Sequence, residues 1–239
     1  MKQYAVIGLG RFGVWALEEL LSVDVDVLIV DKDESLVARY KEQVQAAYVA
    51  DIIDEQTIRR IIPGDIDGVI IDLGDRTEAS ILASNYLKKL GVRRIVAKAE
   101  TDAHGEILRL VGATDIVFPN REAAMRVMPP LLSDAMFSYM PISSGLVMAE
   151  VSFPRELVGK TFAEADLRAK HGLNVVATKP DGDGDYLFVA PDYRIARKDT
   201  FLVVGSPADL AKFGEWVEPG KGAIGLFARF FRREGSTRG

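Results

Sequence analysis

Six residues near the start of the chain, Gly8-Leu9-Gly10-Arg11-Phe12-Gly13, have the types and spacing to hold a phosphate. In such a loop Gly8 permits a tight turn, and Gly10 lets the backbone approach a pyrophosphate. Gly13 lets the following helix pack close to its strand. A helix that starts there offers free N–H groups and a partial positive charge. Asp31 stands 18 residues after Gly13, where a carboxylate accepts hydrogen bonds from ribose hydroxyls and repels a 2′-phosphate. The pattern favours NAD or an adenine nucleotide over NADP, a preference that the neighbouring Lys32 softens. Arg11 lies inside the loop, where a cation reaches terminal phosphates; its other reading is a solvated surface arginine. Asp51 falls where the adenine edge lies in such folds, or else caps a helix. Ile52 beside it, Gly74 (facing the ligand, or a simple turn) and Lys98 complete this candidate set.

The groups needed for catalysis are not assembled in the sequence. Hydride transfer usually needs a general acid or base beside the nicotinamide. The two histidines are His104, in the first turn of a helix, and His171, before Gly172 at a helix end. Neither has an acid or lysine partner at motif spacing, and both read as structural. Asp181-Gly182-Asp183-Gly184-Asp185 lacks the terminal glutamate of a calcium loop and reads as a solvated hairpin turn. With no cysteine in the chain, disulfides, thiolate catalysis and cysteine-ligated zinc are excluded.

The elements that must position these residues follow from apolar runs. Tyr4–Ile7, Val25–Val30, Ala47–Val49, Gly68–Leu73, Ile95–Lys98 and Asp115–Phe118 read as strands without period-two alternation. Helices come between them: one carrying Phe12, Trp15, Ala16 and Leu20 at helical spacing, then Glu34–Glu42, Asp54–Ile62, Arg76–Leu90 and Asp102–Val111. This alternation predicts a Rossmann-type α/β fold, a doubly wound parallel sheet with helices on both faces. A longer helix follows from Asn120 to about Met136, bent near Pro129-Pro130. The turn-rich Met140–Gly145 reads as a loop at the domain boundary. Beyond it, Leu146–Phe153, Asn174–Thr178, Leu187–Ala190 and Thr200–Val204 read as strands. Phe162–Lys170 and Ala208–Trp216 read as helices of a small α+β C-terminal domain. The expected domains are 1–138 and 139–217, followed by a tail, 218–239.

The chain has 239 residues, 48% hydrophobic and 27% charged, with a net charge of −5. This describes a globular protein and argues against a general nucleic-acid partner. No stretch approaches the roughly 20 consecutive apolar residues of a membrane span, and Met1-Lys2-Gln3 runs straight into a strand without a signal-peptide core. A cytoplasmic protein is expected, meeting a membrane only through a partner. The tail sets Leu226, Phe227, Phe230 and Phe231 beside Arg229, Arg232 and Arg233. It reads as a frayed terminus or as a basic amphipathic segment that docks on a membrane surface or partner.

Taken in order, these residues resemble a family. Ala5–Gly13, Val30-Asp31, Gly91-Val92, Ile95–Ala99 and Leu110–Ala113 leading to Phe118-Pro119 carry the likeness in the first domain. Leu157–Lys160, Leu167–Gly172 and Leu202–Gly205 carry it in the second. The chain, from about Lys2 to Gly214, resembles the regulatory subunits of Ktr/Trk-type potassium uptake systems, built from RCK (regulator of potassium conductance) domains, KtrA-like subunits above all. The resemblance implies an N-terminal lobe that binds ATP, ADP or NAD(H). It implies a homo-oligomeric ring of dimers, paired through the helix after Pro119. The ring sits on the inner face of the plasma membrane, beneath a separate potassium-translocating subunit. Arg11 would then reach phosphates across a dimer interface. Some relatives bind cyclic di-AMP in the C-terminal domain, and Arg168, Ala169 and Asn174 lie in the matching segment. Metal-assisted relatives carry a glutamate after the proline of the crossover helix; here Asn120 stands there, with Glu122 two residues on. An NAD-dependent oxidoreductase is the alternative reading, and a nucleotide sensor for a different transporter is a third.

Overall fold

A computed structural model describes residues 1–217; the expectations for the tail lie outside these residues. The described chain forms two compact units, which divide after Asn120. That division is earlier than the expected 138.

In the first unit, β1 (Gln3–Ile7), α1 (Arg11–Leu21), β2 (Asp26–Asp31), α2 (Glu34–Tyr40) and β3 (Ala46–Val49) come first. They are followed by α3 (Glu55–Ile61), β4 (Gly68–Ile71), α4 (Thr77–Leu90), β5 (Ile95–Lys98), α5 (Asp102–Val111) and β6 (Asp115–Val117). The strands form one parallel sheet in the order β3-β2-β1-β4-β5-β6. The Rossmann-type arrangement expected from the apolar runs is therefore present, with its switch point between β1 and β4. Strands buried on both faces need continuous apolar runs, and Val27–Val30 of β2 are all buried. One apolar cluster joins β1 and β4 to Ile58 of α3, Ala83 and Leu87 of α4 and Leu108 of α5. Another packs Leu17 of α1 and Tyr40 of α2 onto Val6 and Ile29. Each fully buried Leu or Ile contributes roughly 1.5–3 kcal/mol.

Register places the candidate site. Ile7 pairs with Val30 on one side and with Ile71 on the other. The residues that follow, Gly8, Asp31 and Asp72, therefore emerge side by side at the carboxyl edge of the sheet. Helix α1 turns Gly13 and Leu17 inward. Trp15, expected on the apolar stripe, is instead 68% exposed; helical spacing alone does not tell a stripe from its flank.

The second unit contains most of α6 (Pro119–Leu132), which ends two residues after Pro130, short of the expected Met136. There follow β7 (Met136–Ser143), β8 (Leu146–Ser152), α7 (Phe162–Ala165), α8 (Leu167–His171), β9 (Asn174–Lys179), β10 (Leu187–Phe188), β11 (Thr200–Gly205) and α9 (Pro207–Val217). Its antiparallel sheet runs β10-β9-β11-β8-β7. Two local expectations are corrected. Met140–Gly145 is the end of β7 and the turn of a hairpin with β8, not an interdomain loop. The helix expected over Phe162–Lys170 breaks at Asp166, whose φ of 47° is left-handed. The core of this unit centres on Phe201, stacked on Phe153 at 4.2 Å, with Tyr139, Val151 and Phe213 around it.

His104 is part of the first core. It is 3% exposed, its Nδ1 accepts the Glu100 N–H at 3.3 Å, and its Nε2 lies 2.8 Å from Ser80 Oγ. Ser80 Oγ in turn donates to the Thr77 carbonyl. This network assigns a neutral ring protonated on Nε2. Burial lowers the His104 pKa, only partly offset by the Glu100 charge. His171, stacked on Trp216 at 4.1 Å, is lowered too, by burial and by Lys170, partly offset by Glu156.

Two outcomes are expected. A histidine that binds its proton less readily when folded adds stability that is complete above about pH 6.5 and is lost as the pH falls below it. The thermal midpoint therefore drops between pH 7 and pH 5, and H104Q flattens part of that drop; an unchanged slope in H104Q contradicts the assignment. At Gly13, an added Cβ would collide with the Gly8 carbonyl oxygen, whereas at Gly64 it meets open space. Gly13→Ala should destabilise by about 1–3 kcal/mol or more, and Gly64→Ala by under about 0.5 kcal/mol, both measured by denaturant unfolding.

Candidate functional site

The glycine loop is held from both sides by carboxylates. Asp31 Oδ2 accepts the Leu9 N–H at 2.6 Å and Oδ1 accepts the Asp33 N–H at 2.8 Å. Asp72 Oδ2 accepts the Gly13 N–H at 2.9 Å, and Oδ1 accepts the Gly74 N–H at 3.3 Å. Gly8 donates to the Val30 carbonyl, and Val14 donates to that of Gly10. Gly8 has a φ of 89°, and an added Cβ there would strike the backbone of Asp72. Gly10 caps α1 with its backbone alone. Among the described residues the Gly10, Arg11 and Phe12 N–H groups have no partner; they stand at the helix start, where the macrodipole favours an anion.

The structure brings Gly8–Gly13, Asp31, Gly74 and Lys98 together through these bonds. Lys98 Nζ lies 3.2 Å from Asp72 Oδ1 and 2.8 Å from Glu100 Oε1. Burial alone would lower the Lys98 pKa; bonds to Glu100 and Asp72 outweigh it and hold the ammonium above its usual value. Lys32 is exposed next to Asp31, Phe12 is half-buried, and Arg11 is exposed. A carboxylate has about four lone-pair sites. Asp31 uses two of them on backbone N–H groups, which leaves room for further donors.

Asp51 does not cap a helix. Both its oxygens accept from Arg76 Nη2, at 2.8 and 2.9 Å, and the helix cap of α3 is Asp54. This pair ties the loop after β3 to the loop after β4, across the ends of β2 and β1. The Ile52 side chain is buried in the core. Asp72 and Arg76 are the residues that sequence reasoning passed over. Asp72 had a usable signal: the run Ile70-Ile71-Asp72 ends on an acid just as Ile29-Val30-Asp31 does.

In the second unit, Arg168 and Asn174 line a cleft of about 450 Å³ together with Phe162, Asp166, Leu173 and Pro191. Ala169 is exposed and does not line it. Asn120 and Glu122 are exposed on the first turn of α6. Among the described residues, no three His, Asp or Glu side chains are grouped to hold a metal, and no helix is long and apolar enough to cross a membrane.

Comparisons with known proteins match both units. Residues 4–119 match the TrkA-N domain family and residues 146–218 the TrkA-C domain family. The chain is 35% identical over 214 residues to the Ktr system potassium uptake protein C of Bacillus subtilis (strain 168), covering 89% of this chain and 96% of the relative. It is 34% identical over 212 residues to the Ktr system potassium uptake protein A of Vibrio alginolyticus, covering 88% and 95%. Among solved structures, the GsuK channel bound to NAD superposes with a TM-score of 0.61 at 19% identity, over 98% of this chain and 44% of that one. That likeness is one of fold. The two domain matches and the full-length relatives agree with the architecture described above, and the chain belongs to the Ktr family of potassium uptake system proteins.

Proposed function

We propose that this chain is the cytoplasmic nucleotide-binding regulatory subunit of a potassium uptake system. It sets the activity of a separate membrane subunit by changing shape with the nucleotide it holds. The observation that carries this reading is the set of three N–H groups, Gly10, Arg11 and Phe12, at the start of α1, free among the described residues, beside the spare lone pairs of Asp31. The N–H groups take the phosphates and Asp31 takes the ribose. The Asp51–Arg76 pair flanks the base. Arg11, exposed and without a side-chain partner among the described residues, reads the terminal phosphate.

The Ktr relatives supply the transport system, and the GsuK channel, described as bound to NAD, supports an adenine nucleotide as ligand. The subunits form dimers within a ring below the membrane partner. Cyclic di-AMP is the proposed second ligand, in the cleft lined by Arg168 and Asn174. No bond is broken in this scheme; His104 is buried in the first core and His171 is stacked on Trp216. The nucleotide acts by population shift: it favours whichever ring shape binds it better, and a ligand that binds both shapes equally shifts nothing.

The test is calorimetric titration of the full chain with ATP and ADP, paired with solution scattering of the assembly. Both nucleotides should bind and give different ring dimensions. Arg11→Ala should weaken ATP by about tenfold, the scale of one lost charge-assisted bond, and AMP far less. No adenine-nucleotide binding, or identical ring dimensions with ATP and ADP, would sink the reading.

A further inference from the structure

We propose that Asp72 limits how many phosphates the nucleotide site accepts, by holding a buried negative charge under the phosphate loop. This rests on the nucleotide-binding reading above and adds a residue that sets its ligand preference.

The Asp72 side chain is fully buried. Its Oδ2 lies 2.5 Å from where a Cβ on Gly10 would stand, so the carboxylate rests against the residue whose backbone approaches the pyrophosphate. Every partner of Asp72 donates to it: the Gly13 and Gly74 N–H groups and the Lys98 ammonium. Asp72 thus occupies the Gly13 N–H, a donor that a phosphate would otherwise use. Lys98 does not cancel its charge alone, since the same ammonium is shared with Glu100 at 2.8 Å. Two carboxylates stand against one ammonium, which leaves the floor of the loop negative.

Above that floor, the start of α1 and Arg11 attract phosphate. The two influences oppose each other, and their balance depends on ligand charge. A buried charge is screened less by water and salt than an exposed one, and its effect falls with distance. Asp72 therefore acts on the phosphates and little on ribose or base. The first phosphates gain more from the free N–H groups than they lose to Asp72. Each further charge adds repulsion without a further backbone donor. The site is built for an adenine dinucleotide or diphosphate more than for a free triphosphate.

The test is titration of the full chain with AMP, ADP and ATP, read as the ratio of ATP to AMP affinity. D72N keeps an acceptor for the Gly13 N–H and removes the charge, and should raise that ratio about tenfold, the scale of one unit charge a few ångströms away. E100Q alters the exposed second carboxylate and should raise it about two- to threefold. A purely structural Asp72 would weaken all three nucleotides alike and leave the ratio unchanged; an unchanged ratio in both variants overturns the proposal. If D72N does not fold, E100Q decides. Wild-type protein that binds none of the three overturns the nucleotide reading itself, a separate outcome from an unmoved ratio.

Discussion

The chain must leave β1, reverse its backbone and begin α1 within three residues, and the close approach of that turn to the end of β4 constrains everything around it. Gly8 and Gly13 have no room for side chains because the end of β4 and the turn itself fill the space. Asp31 and Asp72, one from each neighbouring strand, then fix the turn by accepting the Leu9 and Gly13 N–H groups. Hydrogen bonds to a charged acceptor contribute roughly 1.5–3 kcal/mol each. Two of them on one short loop hold its remaining N–H groups in place before any ligand arrives. Such preorganisation lowers the ordering cost of binding.

The same arrangement supports the proposed signal site over a reagent site. A dehydrogenase would need a free proton donor or acceptor beside the ligand, yet His104 is locked between Glu100 and Ser80 and His171 lies flat on Trp216. What surrounds the loop is charge: Asp31 and Asp72 beside it, Lys98 behind, Arg11 exposed at its tip, and the Asp51–Arg76 pair across two strand ends. The glycine fingerprint, common to both kinds of protein, does not separate them. The side chains around it favour the proposed signal site.

Much of this was legible in the sequence where the signal is local. The continuous apolar runs of β1 and β2 announce strands buried on both faces, and the glycine spacing with Asp31 announces the loop. It is not legible where the determining contact is distant or the pattern is weak. Asp51 and Arg76 are 25 residues apart and meet only because β3 and β4 flank the same two strands. In β7 only Met136 and Tyr139 are buried, so no alternation marks a strand, and its proline and serines read as a loop. Asp166 breaks a helix by adopting a left-handed backbone, which no neighbouring residue signals. Asp72 was readable, since it ends its strand as Asp31 does, but its burial and its hold on Gly13 come from the packing of β4 against the loop.

Amide-resolved hydrogen exchange on the full chain, with and without ADP, tests whether the start of α1 takes the phosphates. ADP should slow exchange at Gly10, Arg11 and Phe12, while Leu9 and Gly13, already bonded to Asp31 and Asp72, change little. Protection confined to other parts of the chain, with those three amides unmoved at saturating ADP, would contradict it.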